Sequence, residues 1–138
     1  MKIYKNIDKS DFCIYFFYTF TNYKKEAVMI TRALEQEIIN RIKANYKVRE
    51  AILFGSYADG EPHCDSDIDL VIILDENYKA KKYSEILERR VKLSKLLIDI
   101  ERETPLDILV YTSAEWEELV KTGSSFINEI SARGRRIA

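Results

Sequence analysis

Residues 51–74, AILFGSYADGEPHCDSDIDLVIIL, contain the two strands and the connection that decide the fold. The apolar run at residues 51–54 predicts a short buried strand that is stopped by Gly55. Residues 67–74 predict a second strand, and its continuous, mostly β-branched end indicates burial on both faces. The connection is rich in small and acidic residues, which predicts a loop or a one-turn helix.

Helical patterns lie on both sides of these two strands. Before them, apolar residues recur at every fourth position and predict a helix over roughly residues 26–45. After them, residues 83–101 predict a helix with an apolar stripe of Tyr83, Ile86, Leu87, Val91, Leu97 and Ile98. A third strand follows at residues 106–111, and the capping-box spacing of Thr112 and Glu115 predicts that a helix begins there.

The C-terminal part of the chain predicts two short helices. Gly123 is a plausible end for the first, and Ser124 or Ser125 begins a second that closes near Gly134. Helices that alternate with strands on one core predict an α+β fold, a two-layer α/β arrangement with helices packed against a sheet.

Composition excludes several classes of protein. A chain of 138 residues with 46% hydrophobic residues predicts one ordered globular core. A net charge of -1 argues against binding nucleic acid by bulk charge. Two cysteines are too few for a disulfide framework, and no apolar run reaches the ~20 residues of a membrane helix. We therefore expect a cytoplasmic protein with no membrane partner.

Aromatic residues are concentrated at the N-terminus. Half of them fall in the first 23 residues: Tyr4, Phe12, Tyr15, Phe16, Phe17, Tyr18, Phe20 and Tyr23. We interpret residues 1–28 as an aromatic-rich extension and residues 29–138 as the main domain. The extension is an added strand or helix, a surface for a partner or a second copy, or a leader that precedes a natural start at Met29.

Gly55 and Ser56 form the first candidate site. A strand that ends in Gly-Ser and turns into a helix presents backbone N–H groups, which favour anions and above all phosphates. Gly55 lets a phosphate approach the backbone, and Ser56 adds a hydroxyl donor. The same two residues are also common in an ordinary turn, so this signal is weak alone.

Three carboxylates form the second candidate site. Asp67 and Asp69 point to the same side of the second strand, because side chains alternate along a strand. Asp107 lies near the start of the third strand, and it joins this pair if the two strands are neighbours. Such a cluster suits Mg²⁺, and three carboxylates can hold two ions about 4 Å apart for phosphoryl or nucleotidyl transfer. The alternative is a solvated strand entrance.

Gly55-Ser56, ten further residues, Asp67-x-Asp69 and an acid on the next strand occur in this order. With this pattern the sequence resembles the minimal nucleotidyltransferases of the DNA polymerase β superfamily, the MNT-type domains. The match covers about residues 29–138 and includes Ser-Asp-Ile-Asp-Leu at residues 66–70. The resemblance implies the nucleotidyltransferase fold, a small mixed β-sheet with helices packed on it.

The resemblance implies a role for each matching residue. Gly55 and Ser56 would contact the β- and γ-phosphates of a nucleoside triphosphate. Asp67 and Asp69 would bind two Mg²⁺ ions, and Asp107 would complete the second metal site and help activate an acceptor hydroxyl. The implied reaction moves AMP from ATP to that hydroxyl and releases pyrophosphate.

The resemblance also implies a protein partner. Only residues 112–138 follow the third strand, which leaves no room for a helical domain that grips an acceptor. We therefore expect the acceptor in trans. In this family, short domains of this kind pair with a separate helical HEPN toxin and adenylylate one of its tyrosines, as type VII-like antitoxins. Whether the chain also forms a homo-oligomer stays open.

Asp59 departs from the family pattern, because many relatives carry a basic residue at this position. A carboxylate suits a helix N-terminus but repels a triphosphate. Two alternatives follow. The protein is a catalytically weak or inactive module that neutralises its partner by contact, or it is a nucleotidyltransferase for small molecules of the aminoglycoside type.

Overall fold

The computed structural model describes residues 20–60 and 66–138, and within residues 20–31 it describes the backbone alone. Contacts divide the chain into two units between Glu35 and Gln36, and the sheet lies in the second unit. The elements in chain order are α1 (Phe20–Asn45), β1 (Val48–Phe54), a 3-10 turn (Gly55–Tyr57), β2 (Ile68–Leu74), α2 (Tyr83–Leu96), α3 (Ile98–Glu103), β3 (Leu106–Thr112), α4 (Ser113–Thr122), α5 (Ser125–Arg133) and β4 (Arg135–Arg136).

The four described strands form one mixed sheet in the order β3-β2-β1-β4. β1 is antiparallel to both β2 and β4, and β2 is parallel to β3. The expected mixed sheet with packed helices is confirmed. The predicted strands at residues 51–54, 67–74 and 106–111 correspond to β1, β2 and β3, whereas the short β4 carries no sequence signal of its own.

One face of the sheet is covered by α4 and α5. Ile52, Val71 and Ile73 form a buried cluster there with residues of the two helices, namely Trp116, Ile127 and Ile130. Side chains alternate along a strand, so Asp69, two residues before Val71, belongs to this same face. The apolar packing on this face ends at Asp69, so the Asp69 carboxylate lies at the rim of the core.

The predicted helix signals near the C-terminus are confirmed. The Thr112 side chain accepts a hydrogen bond from the Glu115 backbone N–H, and the Glu115 side chain accepts one from the Thr112 N–H, which completes the capping box. Gly123 ends α4 in the left-handed conformation with φ of 65°. The Ser124 side chain accepts a hydrogen bond from the backbone N–H of Ile127 and begins α5.

Two helices differ from the sequence-based expectation. The helix predicted over roughly residues 26–45 is described as α1 from Phe20 to Asn45, and residues 1–19 of the expected extension lie outside the described residues. The helix predicted at residues 83–101 is interrupted at Leu97. The Leu97 N–H donates to the carbonyl of Ser94, three residues back, which tightens the last turn of α2 while Leu97 is fully buried.

The apolar stripe predicted for α2 faces outward over most of its length. Tyr83, Leu87 and Val91 are exposed, as is Ile98 just beyond the helix, whereas the buried side chains of α2 are Arg89 and Leu93. Periodicity alone identifies an apolar side of a helix, but it does not say which surface that side meets.

Candidate functional site

Gly55 and Asp69 form the central contact of the candidate site. Phe54, the last residue of β1, pairs with Asp69 of β2, so the chain turns away at Gly55 directly beside the Asp69 carboxylate. A Cβ on Gly55 would lie 2.3 Å from Asp69 Oδ2, and Gly55 has φ of +70°. Both the space and the backbone conformation therefore require glycine here.

Asp69 and Asp107 are register partners in the parallel strands β2 and β3. Their side chains start from neighbouring positions on the same face, because adjacent strands lie about 4.8 Å apart. Asp69 is half-buried and Asp107 is 51% exposed. The sequence argument required β3 to lie beside β2, and the structure meets this condition.

Burial and like charge together raise the pKa of Asp69. Burial is the largest cause, and the nearby carboxylates of Asp107 and then Asp67 add to it. Asp67 also contributes, after burial, to the raised pKa of the Tyr57 hydroxyl in the 3-10 turn. Asp67 therefore acts electrostatically on both Asp69 and the Tyr57 hydroxyl of the turn. This concentration of negative charge favours a bound cation.

The turn after β1 holds Ser56 beside these carboxylates. The carbonyl oxygen of Gly55 accepts hydrogen bonds from the N–H groups of Ala58 and Asp59, at 3.1 Å each. The first N–H groups of such a turn have no partner within it, and they point toward its N-terminal end. Ser56 is partly buried there and Asp59 is exposed. The geometry suits an anion, while the exposed Asp59 opposes one.

Arg90 is a member of the site that the sequence argument missed. Its Nη2 donates to Oδ1 of Asp107 at 3.1 Å, and both side chains are half-exposed. Arg90 lies on α2, so only the packing of α2 along β3 brings it to Asp107. No local motif around residue 90 signals this contact.

The structure brings the predicted residues together only in part. Gly55 lies against Asp69 with Ser56 next to it in the chain, and Asp107 is in register with Asp69. Within residues 20–60 and 66–138, however, no three histidine, cysteine, aspartate or glutamate side chains are grouped as metal ligands. The Asp107 carboxylate accepts instead from Arg90. Residues 61–65, which include His63 and Cys64, lie outside the described residues.

A search of the described residues for a helix that could span a bilayer finds none.

Residues 36–128 match the family model described as "Polymerase beta, Nucleotidyltransferase". A 61-residue segment is 43% identical to a "Putative protein adenylyltransferase" of Methanocaldococcus jannaschii, and this alignment covers 43% of the chain and 61% of that relative. The chain thus spans less than two thirds of the length of this curated relative.

Two solved structures match part of this chain. A toxin–antitoxin crystal structure with AMP-PNP matches with a TM-score of 0.51 and 21% identity, over 75% of this chain and 72% of that one. A complex of a tri-AMPylated Shewanella oneidensis HEPN toxin with its MNT antitoxin gives a TM-score of 0.47 and 19% identity, over 78% and 71% of the two chains.

Proposed function

This chain belongs to the polymerase β nucleotidyltransferase family, and on that premise we propose that it transfers AMP from ATP to a hydroxyl of a protein partner. In this reaction the hydroxyl oxygen loses its proton and bonds to the α-phosphorus, the bond from that phosphorus to the bridging oxygen breaks, and pyrophosphate leaves with that oxygen. The observation that carries the proposal is the contact between Gly55 and Asp69, with Asp107 in register beside it.

In this proposal Gly55 and Ser56 bind the β- and γ-phosphates. The left-handed backbone at Gly55 lets the turn pass close to Asp69, and the exposed N-terminal end of the turn supplies donors for phosphate oxygens. The Ser56 hydroxyl adds a donor next to them. These contacts would hold the triphosphate along the same rim on which Asp69 lies.

The donor set at this rim fits magnesium. Asp67, Asp69 and Asp107 supply only carboxylate oxygens, the ligands preferred by this hard cation. Their mutual repulsion, seen in the raised pKa of Asp69, would be relieved by a bound cation. When bound, the metal would offset the charge of the phosphates and polarise the reacting oxygens.

Asp107 is the proposed partner of the acceptor hydroxyl. Asp107 is more exposed than its register partner Asp69, so an incoming side chain reaches it without moving the sheet. Its carboxylate would accept the hydrogen bond of the acceptor hydroxyl and hold that oxygen beside the nucleotide.

We propose a tyrosine of a HEPN toxin as the acceptor, so that this chain acts as an antitoxin in the cytoplasm, where ATP is available. The toxin–antitoxin structure with AMP-PNP supports the antitoxin role, and the name of the archaeal relative supports a protein as acceptor. Both observations concern those proteins, and the acceptor of this chain is a proposal.

The test is transfer of radiolabelled AMP from ATP, with MgCl₂ present, to a co-expressed HEPN protein. The Asp67→Asn and Asp69→Asn double variant should lose transfer while it stays folded. Asp75→Asn, which removes an exposed acid just after β2 at the other end of that strand, is the matched control and should retain transfer. Full transfer by the double variant would refute the proposed site.

A second candidate function is neutralisation of the partner by contact alone. The hydrogen bond from Arg90 favours this second function, because it occupies the Asp107 carboxylate that the reaction needs. Asp59 favours it as well, because it places a negative charge next to the phosphate-binding turn. Calorimetry with ATP and MgCl₂ separates the two functions, since a module that acts by contact should show no magnesium-dependent nucleotide binding.

A further inference from the structure

Two consecutive arginines of α2 contact opposite ends of β3. Arg89 donates from Nη2 to Oε2 of Glu115 at 2.8 Å, and Glu115 accepts from the backbone N–H of Thr112, the last residue of β3. Arg90 donates from its own Nη2 to Oδ1 of Asp107 at 3.1 Å, near the start of the same strand. The two contacts therefore span the strand that carries the carboxylate assigned to the acceptor hydroxyl.

The two ion pairs differ in burial. The side chains of Arg89 and Glu115 are 7% and 14% exposed, whereas those of Arg90 and Asp107 are 50% and 51% exposed. Water screens an exposed pair and lets its side chains separate easily. Separating a buried pair leaves an uncompensated charge in the interior, so the buried pair is held more firmly. The contact of Arg89 is thus the strong one, and the contact of Arg90 is the weak one.

Glu115 is a fixed partner for Arg89. In addition to the N–H of Thr112, its carboxylate accepts from the backbone N–H of Ala80 at 2.9 Å, in the connection that follows β2. Within residues 20–60 and 66–138, Nε and Nη1 of Arg89 are buried and have no hydrogen-bond partner. The hydrogen bonding that holds the Arg89 guanidinium therefore runs through Glu115.

The Arg89–Glu115 pair sets the rotation of α2 about its own axis. Leu93, one turn after Arg89, is buried and also holds the helix against the core, but apolar packing has no preferred direction. A hydrogen bond is directional. Because an α-helix has about 3.6 residues per turn, the direction of Arg89 also determines the direction in which Arg90 leaves the helix.

We propose that Arg89 and Glu115 are positioning residues, which hold Arg90 against Asp107 and thereby limit how readily that carboxylate binds a cation. The role of Asp107 as a ligand rests on the proposed function, whereas the coupling between the two ion pairs does not. Without the Arg89–Glu115 pair, the rotation of α2 is no longer fixed, and the half-exposed Arg90 side chain leaves Asp107 for solvent. The carboxylate is then free, as it is when Arg90 itself is removed.

The first experiment follows the guanidinium resonances of Arg90 by NMR, without magnesium or nucleotide. Asp107→Asn gives their position when the contact with Asp107 is lost. In Arg89→Gln they should move from the wild-type position toward that reference. Arg89→Lys keeps a cationic donor for Glu115 and should lie closer to the wild type than Arg89→Gln does. If the resonances of Arg89→Gln stay at the wild-type position, the inference is refuted although the proposed function stands.

The second experiment measures magnesium affinity by calorimetry in a double-mutant cycle. Arg89→Gln should raise the affinity by up to about fivefold, the change expected when Arg90 leaves Asp107. In the Arg90→Gln background the same substitution should change the affinity no further. An equal rise in both backgrounds would show that Arg89 acts without Arg90, and it would overturn the inference. An unchanged affinity in Arg89→Gln would overturn it as well.

A loss of stability alone should not reproduce these changes. Ile130→Val is the control, because it removes one methylene group from the buried cluster that α4 and α5 form with the sheet. It should lower the free energy of unfolding and leave the Arg90 resonances and the magnesium affinity unchanged. A rise in magnesium affinity in Ile130→Val would overturn the inference, because the effect would then follow stability.

The AMP-transfer assay separates this inference from the proposed function. If the Asp67→Asn and Asp69→Asn double variant keeps full transfer while the Arg90 resonances move in Arg89→Gln, the proposed site fails and the positioning of Arg90 stands.

Discussion

The Cα of Gly55 and the carboxylate of Asp69 are so close that no side chain fits between them. A Cβ at Gly55 would lie 2.3 Å from Asp69 Oδ2, well inside the van der Waals contact distance. The contact joins the end of β1 to the start of β2, and it couples the proposed phosphate-binding turn to the proposed metal ligand.

Gly55→Ala should impair both folding and nucleotide binding. The left-handed φ of +70° costs an alanine about 1 kcal/mol, and the new Cβ must also displace the Asp69 carboxylate. Gly60→Ala is the matched control, because Gly60 has φ of +74° with nothing within 4 Å of its Cβ position. Thermal unfolding and ATP calorimetry should show the larger loss for Gly55→Ala, and equal losses would contradict the assigned contact.

Asp59→Arg should strengthen ATP binding. Asp59 is exposed at the end of the turn that carries Ser56, so the substitution replaces a repulsive charge by an attractive one. An exposed charge of this kind contributes about 1 kcal/mol, which corresponds to roughly fivefold in Kd. Calorimetry at low salt should show the gain, and 0.5 M NaCl should reduce it. Asp75→Arg should leave the affinity for ATP unchanged.

Arg90→Gln should strengthen magnesium binding in the absence of nucleotide. The substitution removes the guanidinium that donates to Asp107 and leaves that carboxylate free to bind a cation. A half-exposed ion pair is worth at most about 1 kcal/mol, so we expect an increase in affinity of up to fivefold and little change in melting temperature. Arg102→Gln, an exposed arginine of α3, is the charge-matched control. Weaker magnesium binding by Arg90→Gln would show that Arg90 positions Asp107 instead.

Glu115 should make stability depend on pH in the acid range. Burial opposes ionisation of this carboxyl, but the N–H groups of Ala80 and Thr112 and the guanidinium of Arg89 outweigh it and lower the pKa of Glu115. The ionised form is therefore favoured by folding. The contribution of ionised Glu115 to the free energy of unfolding is complete above the ordinary pKa near 4.5. It is lost as the pH falls through the lower pKa that Glu115 has in the folded protein.

Glu115→Gln should remove this part of the pH dependence. Near neutral pH the variant should lose roughly 1.5–3 kcal/mol, the usual worth of a hydrogen bond to a charged group. Urea unfolding between pH 3 and 7 should show the difference from wild type shrinking as the pH falls. Glu129→Gln, at an exposed site on α5, should show the same pH dependence of the free energy of unfolding as the wild type. A difference that stays constant with pH would contradict the assigned ion pair.

Much of the fold could be predicted because its signals are local. β2 is a run of β-branched residues, and the α4 capping box lies within four residues at Thr112–Glu115. The left-handed Gly123 and the Ser124 cap are equally local. Each of these signals depends only on residues close together in the chain, so the element can be predicted without knowing how the chain packs. The interruption between α2 and α3 has no such local signal, because it lies at Leu97, whose side chain is buried in the core.

The orientation of α2 could not be predicted for a different reason. An amphipathic pattern normally faces the core, but here a buried ion pair between Arg89 and Glu115, 26 residues apart, fixes the opposite rotation. β4 was missed because its two arginines pair with β1 only at the end of the assembled sheet.

By itself the sequence determined β1, β2 and β3, the caps and the order Gly55-Ser56, Asp67-x-Asp69 and Asp107, since each depends on residue type and short spacing. Only the tertiary structure decided which of these residues meet. The parallel pairing of β2 and β3 aligns Asp69 with Asp107, the turn at Gly55 presses against Asp69, and the packing of α2 brings Arg90 to Asp107. These contacts join residues distant in the chain, and their geometry is set by strand pairing and by burial of the common core.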